Sequence, residues 1–151
     1  MKSRLAAILL VAALCSTALS AQSNQVMDEL LNQGQARWAQ TAYMLLVCGK
    51  WLAESETPEE ALKVSQDKGW VSRSAKADDS VTLGAFSLVA MKALRMGGGL
   101  GWSLLPIPYY SLRELVVLGI ANASGGEARV LGGEEVIRMI GKIVAVGGGQ
   151  K

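Results

Sequence analysis

The sequence predicts an all-α protein: one small helical domain made of duplicated helix–loop–helix modules, placed after a signal peptide. Two observations carry that reading. Apolar residues fall at i, i+3/i+4 spacing through the long segments, the rhythm of a helix with one core-facing stripe. A pattern running from Leu62 to Leu94 also returns about fifty residues later. Leu112 takes the place of Leu62, Gly119-Ile120 that of Gly69-Trp70, Val130 that of Val81 and Gly133 that of Gly84. Ile137, Ile140 and Ile143 then stand for Leu88, Met91 and Leu94.

The first residues set the compartment. Met1-Lys2-Ser3-Arg4 is positive, Leu5–Leu14 is apolar, and small residues follow through Ala21. That is the layout of a secretory leader, too short in its apolar run to span a bilayer permanently. Cleavage is expected after Ala21 or Ser20, which makes residues 1–21 the signal peptide. Lipid anchoring through Cys15 is a second reading, opposed by the bulky Leu14 before it. Either product is expected in the periplasm or outside the cell. Losing Lys2 and Arg4 leaves 13 basic against 13 acidic residues, so the mature chain is formally neutral and lacks the basic block of a nucleic-acid binder. Cys48 is then the last cysteine, and its setting in Leu45-Leu46-Val47-Cys48 predicts burial.

In the mature chain, residues 22–35 read as a polar N-terminal helix and linker. Residues 36–146 form the helical domain, with modules at about 36–96 and 110–146 joined by 97–109 and followed by a flexible tail at 147–151. Ala36–Ala53 is a strong helix with Trp38, Ala42, Leu45, Leu46 and Trp51 on its stripe, and Gly49 placed to end or kink it. Thr57-Pro58-Glu59-Glu60 is a helix start with a capping hydroxyl, proline in the first turn and a capping-box glutamate. That helix runs to Gly69, and Val71–Ser80 is a polar loop. Thr82 is placed to cap a helix over Leu83–Met96. Gly97–Gly101 stops it, and Pro106 and Pro108 prevent continuous helix up to Tyr110. The apolar stretch between is expected to pack across the module junction. Ser111-Leu112-Arg113-Glu114 repeats the cap signal, Ala121–Arg129 is a loop, and Gly132-Gly133-Glu134 opens the last helix.

Chemistry is limited by what is missing. The chain has no histidine, which removes Ser-His and Cys-His nucleophile pairs and, with one mature cysteine, any zinc site of the usual kind. The reading is therefore non-enzymatic, with no catalytic residue, no cofactor and no metal. Gly97–Gly101 follows a helix and lacks a Lys-Ser/Thr pair, so it is a helix stop and hinge, not a phosphate loop. The glutamate doublets sit in first helical turns, where negative charge is favoured. Trp102, Tyr109 and Tyr110, with Trp70 and Arg113 nearby, are the candidate partner or glycan surface; filling the core is the other reading, since Leu104, Leu105 and Ile107 look buried.

The module pattern resembles the S-layer homology domain, a tandem-repeat helical module. Trp38-Ala39 with Gly49 is similar to one repeat start, while Gly69-Trp70 with Val81-Thr82 and Gly119-Ile120 with Val130-Leu131 are similar to the stops and helix openings that follow. Where that family has Thr-Arg-Ala-Glu, this chain has Thr82-Leu83-Gly84-Ala85 and Leu131-Gly132-Gly133-Glu134. The resemblance implies an all-α module of the cell envelope that binds or scaffolds another envelope protein or a cell-wall glycan. Two further readings stand beside it. One is a subunit of a larger envelope assembly, homo-oligomers included, docking through Leu100–Tyr110. The other is a carboxylate-based glycan hydrolase using Glu114 and Glu134, which would have to face one cleft.

Overall fold

The computed structural model describes residues 22–147, so the expected leader, the Cys15 anchor and the last four residues lie outside it. It holds seven helices and no strand among the described residues. The first, α1, occupies residues 22–31. After it come α2 (Trp38–Cys48), α3 (Pro58–Asp67), α4 (Leu83–Ala93), α5 (Leu100–Leu104), α6 (Pro108–Val117) and α7 (Gly133–Gly147).

The fold closes on a ring of three backbone hydrogen bonds. Ala36 N–H donates to the Leu131 carbonyl at 2.8 Å, Leu131 N–H to that of Val81 at 2.9 Å, and Val81 N–H to that of Ala36 at 2.9 Å. All three side chains are fully buried. Each precedes by two residues a helix of the core: α2, α4 and α7 respectively.

The openings of those helices follow from the ring. A helix leaves its first N–H groups without internal partners. At α3 a side chain answers: Thr57 accepts from Glu60 N–H while the Glu60 carboxylate accepts from Thr57 N–H at 2.9 Å, the expected capping box. At α2 and α4 no side chain caps, and the expected Thr82 cap is absent. A neighbouring loop's backbone does the work instead. Trp38 and Ala39 donate to the carbonyls of Asp79 and Ala77, and Leu83 and Gly84 to those of Arg129 and Glu127. Gly133 likewise donates to Gln33 at 2.9 Å. The backbones meet so closely there that a Cβ on Gly133 would strike the Leu30 carbonyl.

The stops at Gly69 and Gly119 are alike in backbone, while the later half of the expected correspondence is shifted by one: buried Leu131, not exposed Val130, stands in the ring as Val81 does. Gly69 and Gly119 both have φ +68°, which favours glycine. Trp70 and Val71 donate to the Ser65 carbonyl as Ile120 and Ala121 do to that of Leu115. A second correspondence, spaced by forty-five, links the ends of α2 and α4: Lys50 and Arg95 are left-handed at φ 58° and 51°. Those turns end the helices at Cys48 and Ala93, short of the expected Ala53 and Met96.

Four other expectations are corrected. The sixth helix starts at Pro108, not Ser111: proline needs no N–H donor at the first position, and Ser111 Oγ donates instead to the Ile107 carbonyl at 2.8 Å. Cys48 is exposed, because the last turn of α2 turns it off the stripe formed by Leu45 and Leu46. Its thiol is still raised above the ordinary value, first by desolvation and then by the Glu54 charge. Leu104, Leu105 and Ile107 are exposed, not buried. The junction stretch therefore does not bridge modules through them; it forms α5 on the surface.

Candidate functional site

The surface around α5 and α6 gathers most of the expected site residues. Residues 94–107, between α4 and α6, are five longer than residues 49–57, between α2 and α3, and α5 occupies that extra length. Trp102 is half-buried against the core. A Cβ on Gly98 would meet the Trp102 ring at 2.6 Å, and one on Gly101 would meet the Tyr110 ring at 2.6 Å. The glycines thus let the chain wrap two aromatic side chains, which fasten α5 down. Tyr110 meets Tyr109 edge to face, with centroids 5.2 Å apart. Outside that anchor, Leu100 is 83% exposed, Leu104 78% and Tyr109 52%.

α6 continues the same surface. At positions where α3 carries Glu59, Gln66 and Asp67, α6 carries Tyr109, Val116 and Val117, fifty residues on. The substitution at Gln66 has a structural effect. Gln66 Nε2 donates to the carbonyls of Ser72 at 3.1 Å and Ala75 at 2.8 Å, fastening the loop after α3 onto the helix. Val116 has no donor to offer. A groove of about 470 Å³ is open there, lined by Tyr109, Leu112, Arg113, Val116, Val117 and Glu127 among others. Arg113 and Glu127 rim it, and neither makes an ion pair among the described residues.

Trp70 does not join this surface. It stands edge to face with Trp51, centroids 5.3 Å apart. Lys68 Nζ lies 4.2 Å from the Trp51 centroid and Arg95 Cζ 4.4 Å from it, near enough for both cations to be held by the ring. The indole N–H of Trp51 donates to the Ala93 carbonyl at 2.6 Å, capping the C-terminus of α4. Trp51 is placed on the α2 stripe by its spacing alone; that spacing hides its role, because the left-handed turn at Lys50 removes it from the helix.

A third feature is a polar cleft of about 480 Å³ between α1, α2 and α3, carrying the carboxylates of Glu29 and Glu59. Neither Glu114 nor Glu134 lines it or the α6 groove. Glu114 sits midway along α6, and Glu134 is exposed in the first turn of α7. No group of three or more His, Cys, Asp or Glu residues able to hold a metal occurs among the described residues, and no helix there is long and apolar enough to cross a membrane.

The signal for the α6 surface was present in the sequence. It lies in the polar positions of α3 that become apolar in α6, Glu59 to Tyr109 and Asp67 to Val117, not in aromatic residues near turns. Comparison with known protein families, characterised proteins and solved structures finds no match to this chain.

Proposed function

We propose that this chain is a non-enzymatic binding and scaffold module of the cell envelope, exported by its N-terminal leader, and that it docks another envelope protein through the α5–α6 face. The observation that carries the reading is the conversion of a solvent face to an apolar one. α3 and α6 share a proline at their start, their stop and their buried positions, yet the exposed positions of α6 are Tyr109 and Val117 where α3 has acids, with half-buried Val116 in place of a glutamine. Folding gains nothing from leaving such side chains in water, whereas an interface does. Trp102 and Tyr110 hold the surface in place, while Tyr109 and Arg113 are its contact residues.

The S-layer homology resemblance is proposed in the same spirit. The ring at Ala36, Val81 and Leu131 gives three helix openings in one arrangement, in keeping with a three-repeat module whose first copy has lost its loop. A second reading, a cell-wall glycan as partner, is favoured by the Trp51–Trp70 pair with Lys68 and Arg95, since flat rings beside cations suit sugar faces.

Co-purification from a native envelope fraction tests the docking reading. Tagged wild type should recover a partner that Tyr109→Ala with Val117→Asp loses, with helical circular dichroism retained. Recovery unchanged by that pair of substitutions refutes the reading. The glycan reading is tested by pull-down on purified wall material with Trp70→Ala.

A further inference from the structure

Resting on the docking reading above, we infer that the occupant of the α5–α6 face is a second copy of this chain, seated across a twofold axis. Three properties of the face point to self-pairing. Its connecting stretch is uncharged from Gly97 to Leu112, with the Glu114 carboxylate beside Gly99 as the one acid against α5 among the described residues. It is large enough. The exposed parts of Leu100, Leu104, Leu105, Ile107 and Tyr109 amount to roughly 600 Å², at the upper end of what monomers leave bare and near the ~800 Å² per partner of a stable interface.

It is also self-complementary in charge. Glu127 lies beside the start of α6, since both it and Pro108 crowd the site of a Cβ on Gly84, at 2.9 Å and 3.2 Å. Arg113 stands one turn further along the same groove. Neither forms an ion pair among the described residues. In a twofold pairing every contact occurs twice with roles exchanged. Two α6 helices running antiparallel set Arg113 of each copy against Glu127 of the other, forming two reciprocal ion pairs around an apolar centre. The pairing brings the two grooves, each carrying one Arg113 and one Glu127, against each other.

Sedimentation velocity on the purified full-length mature chain, from about 1 to 200 µM, tests this. The wild type is expected to dimerise within that range and Leu104→Glu to remain monomeric, with circular dichroism unchanged because Leu104 is on the surface. Arg113→Glu and Glu127→Arg should each weaken the dimer about tenfold or more, and the double exchange should restore it. Wild type that stays monomeric throughout overturns the proposal, as does a dimer indifferent to Leu104→Glu, or a double exchange no tighter than the single ones. A monomer that still recovers another envelope protein in a Leu104-dependent way overturns the second copy alone. A monomer with no Leu104-dependent partner overturns the docking reading with it.

Discussion

Residues 49–57 and 94–107 make the same journey, from the end of a core helix to the proline that opens the next one, and treat their apolar residues in opposite ways. The shorter connection tucks Trp51 between α4 and two cations and ends in a capping box. The longer one displays Leu100 and Leu104 and reaches α6 through Ile107, which caps nothing. Equal starting geometry, with left-handed turns at Lys50 and Arg95, means the contrast arises from the five extra residues and their composition. One connection serves the fold; the other uses the fold as a support.

The two connections should therefore respond differently to substitution. The largest effect belongs to Trp51→Ala, which removes a hydrogen bond, two ring–cation contacts and an edge-to-face pair; it should cost about 2–3 kcal/mol in chemical denaturation. A loss under about 0.5 kcal/mol would make the cluster ornamental. Next is the cap: Thr57→Ala should cost about 1 kcal/mol, whereas Ile107→Asp should add about 0.5 kcal/mol by supplying the missing acceptor at the start of α6. Both are read as shifts in urea midpoint. Leu100→Ser with Leu104→Ser should leave monomer stability within about 0.5 kcal/mol, because neither side chain is buried.

The smallest effect is a titration confined to the shorter connection. The Thr57 backbone N–H, with its hydroxyl, holds Glu60 below the ordinary carboxylate value, and Glu56 is raised by its hydrogen bond to and charge repulsion from Glu60. The signs are opposite. What Glu60 contributes is present above the unfolded carboxylate pKa and is lost as pH falls through its lowered value. What Glu56 contributes is present below the unfolded pKa and is lost as pH rises through its raised one. Carboxyl NMR should show the two midpoints on opposite sides of the ordinary glutamate range, with the start of α3 fraying in acid and that of α6 unaffected. Coincident midpoints would remove the argument.

Much of the fold could be read from residue types. Thr57-Pro58 with Glu60 gives a cap, Gly69 and Gly119 give stops, and stripes such as Leu45-Leu46 and Phe86-Val89 give core faces, because each acts through its own side chain or its own φ. The ring at Ala36, Val81 and Leu131 acts through peptide groups, which every residue possesses, so it leaves almost no trace in composition. Helix openings capped by a distant backbone are silent for the same reason: Thr82 looks like a cap, yet the carbonyls of Arg129 and Glu127 arrive first. The exposed leucines failed differently. An apolar residue near prolines and glycines reads as buried in sequence, and only comparison with α3 separates a core-facing position from an outward one.

The ring of peptide hydrogen bonds also fixes when this chain can finish folding. Ala36 is made well before Leu131, whose carbonyl accepts the Ala36 N–H hydrogen bond. A contact over so long a sequence separation forms only after Leu131 itself has been made. α2 with α3, and α4 with α6, pack over far shorter stretches of chain, so the order of assembly is pairs first and the ring that ties them together last.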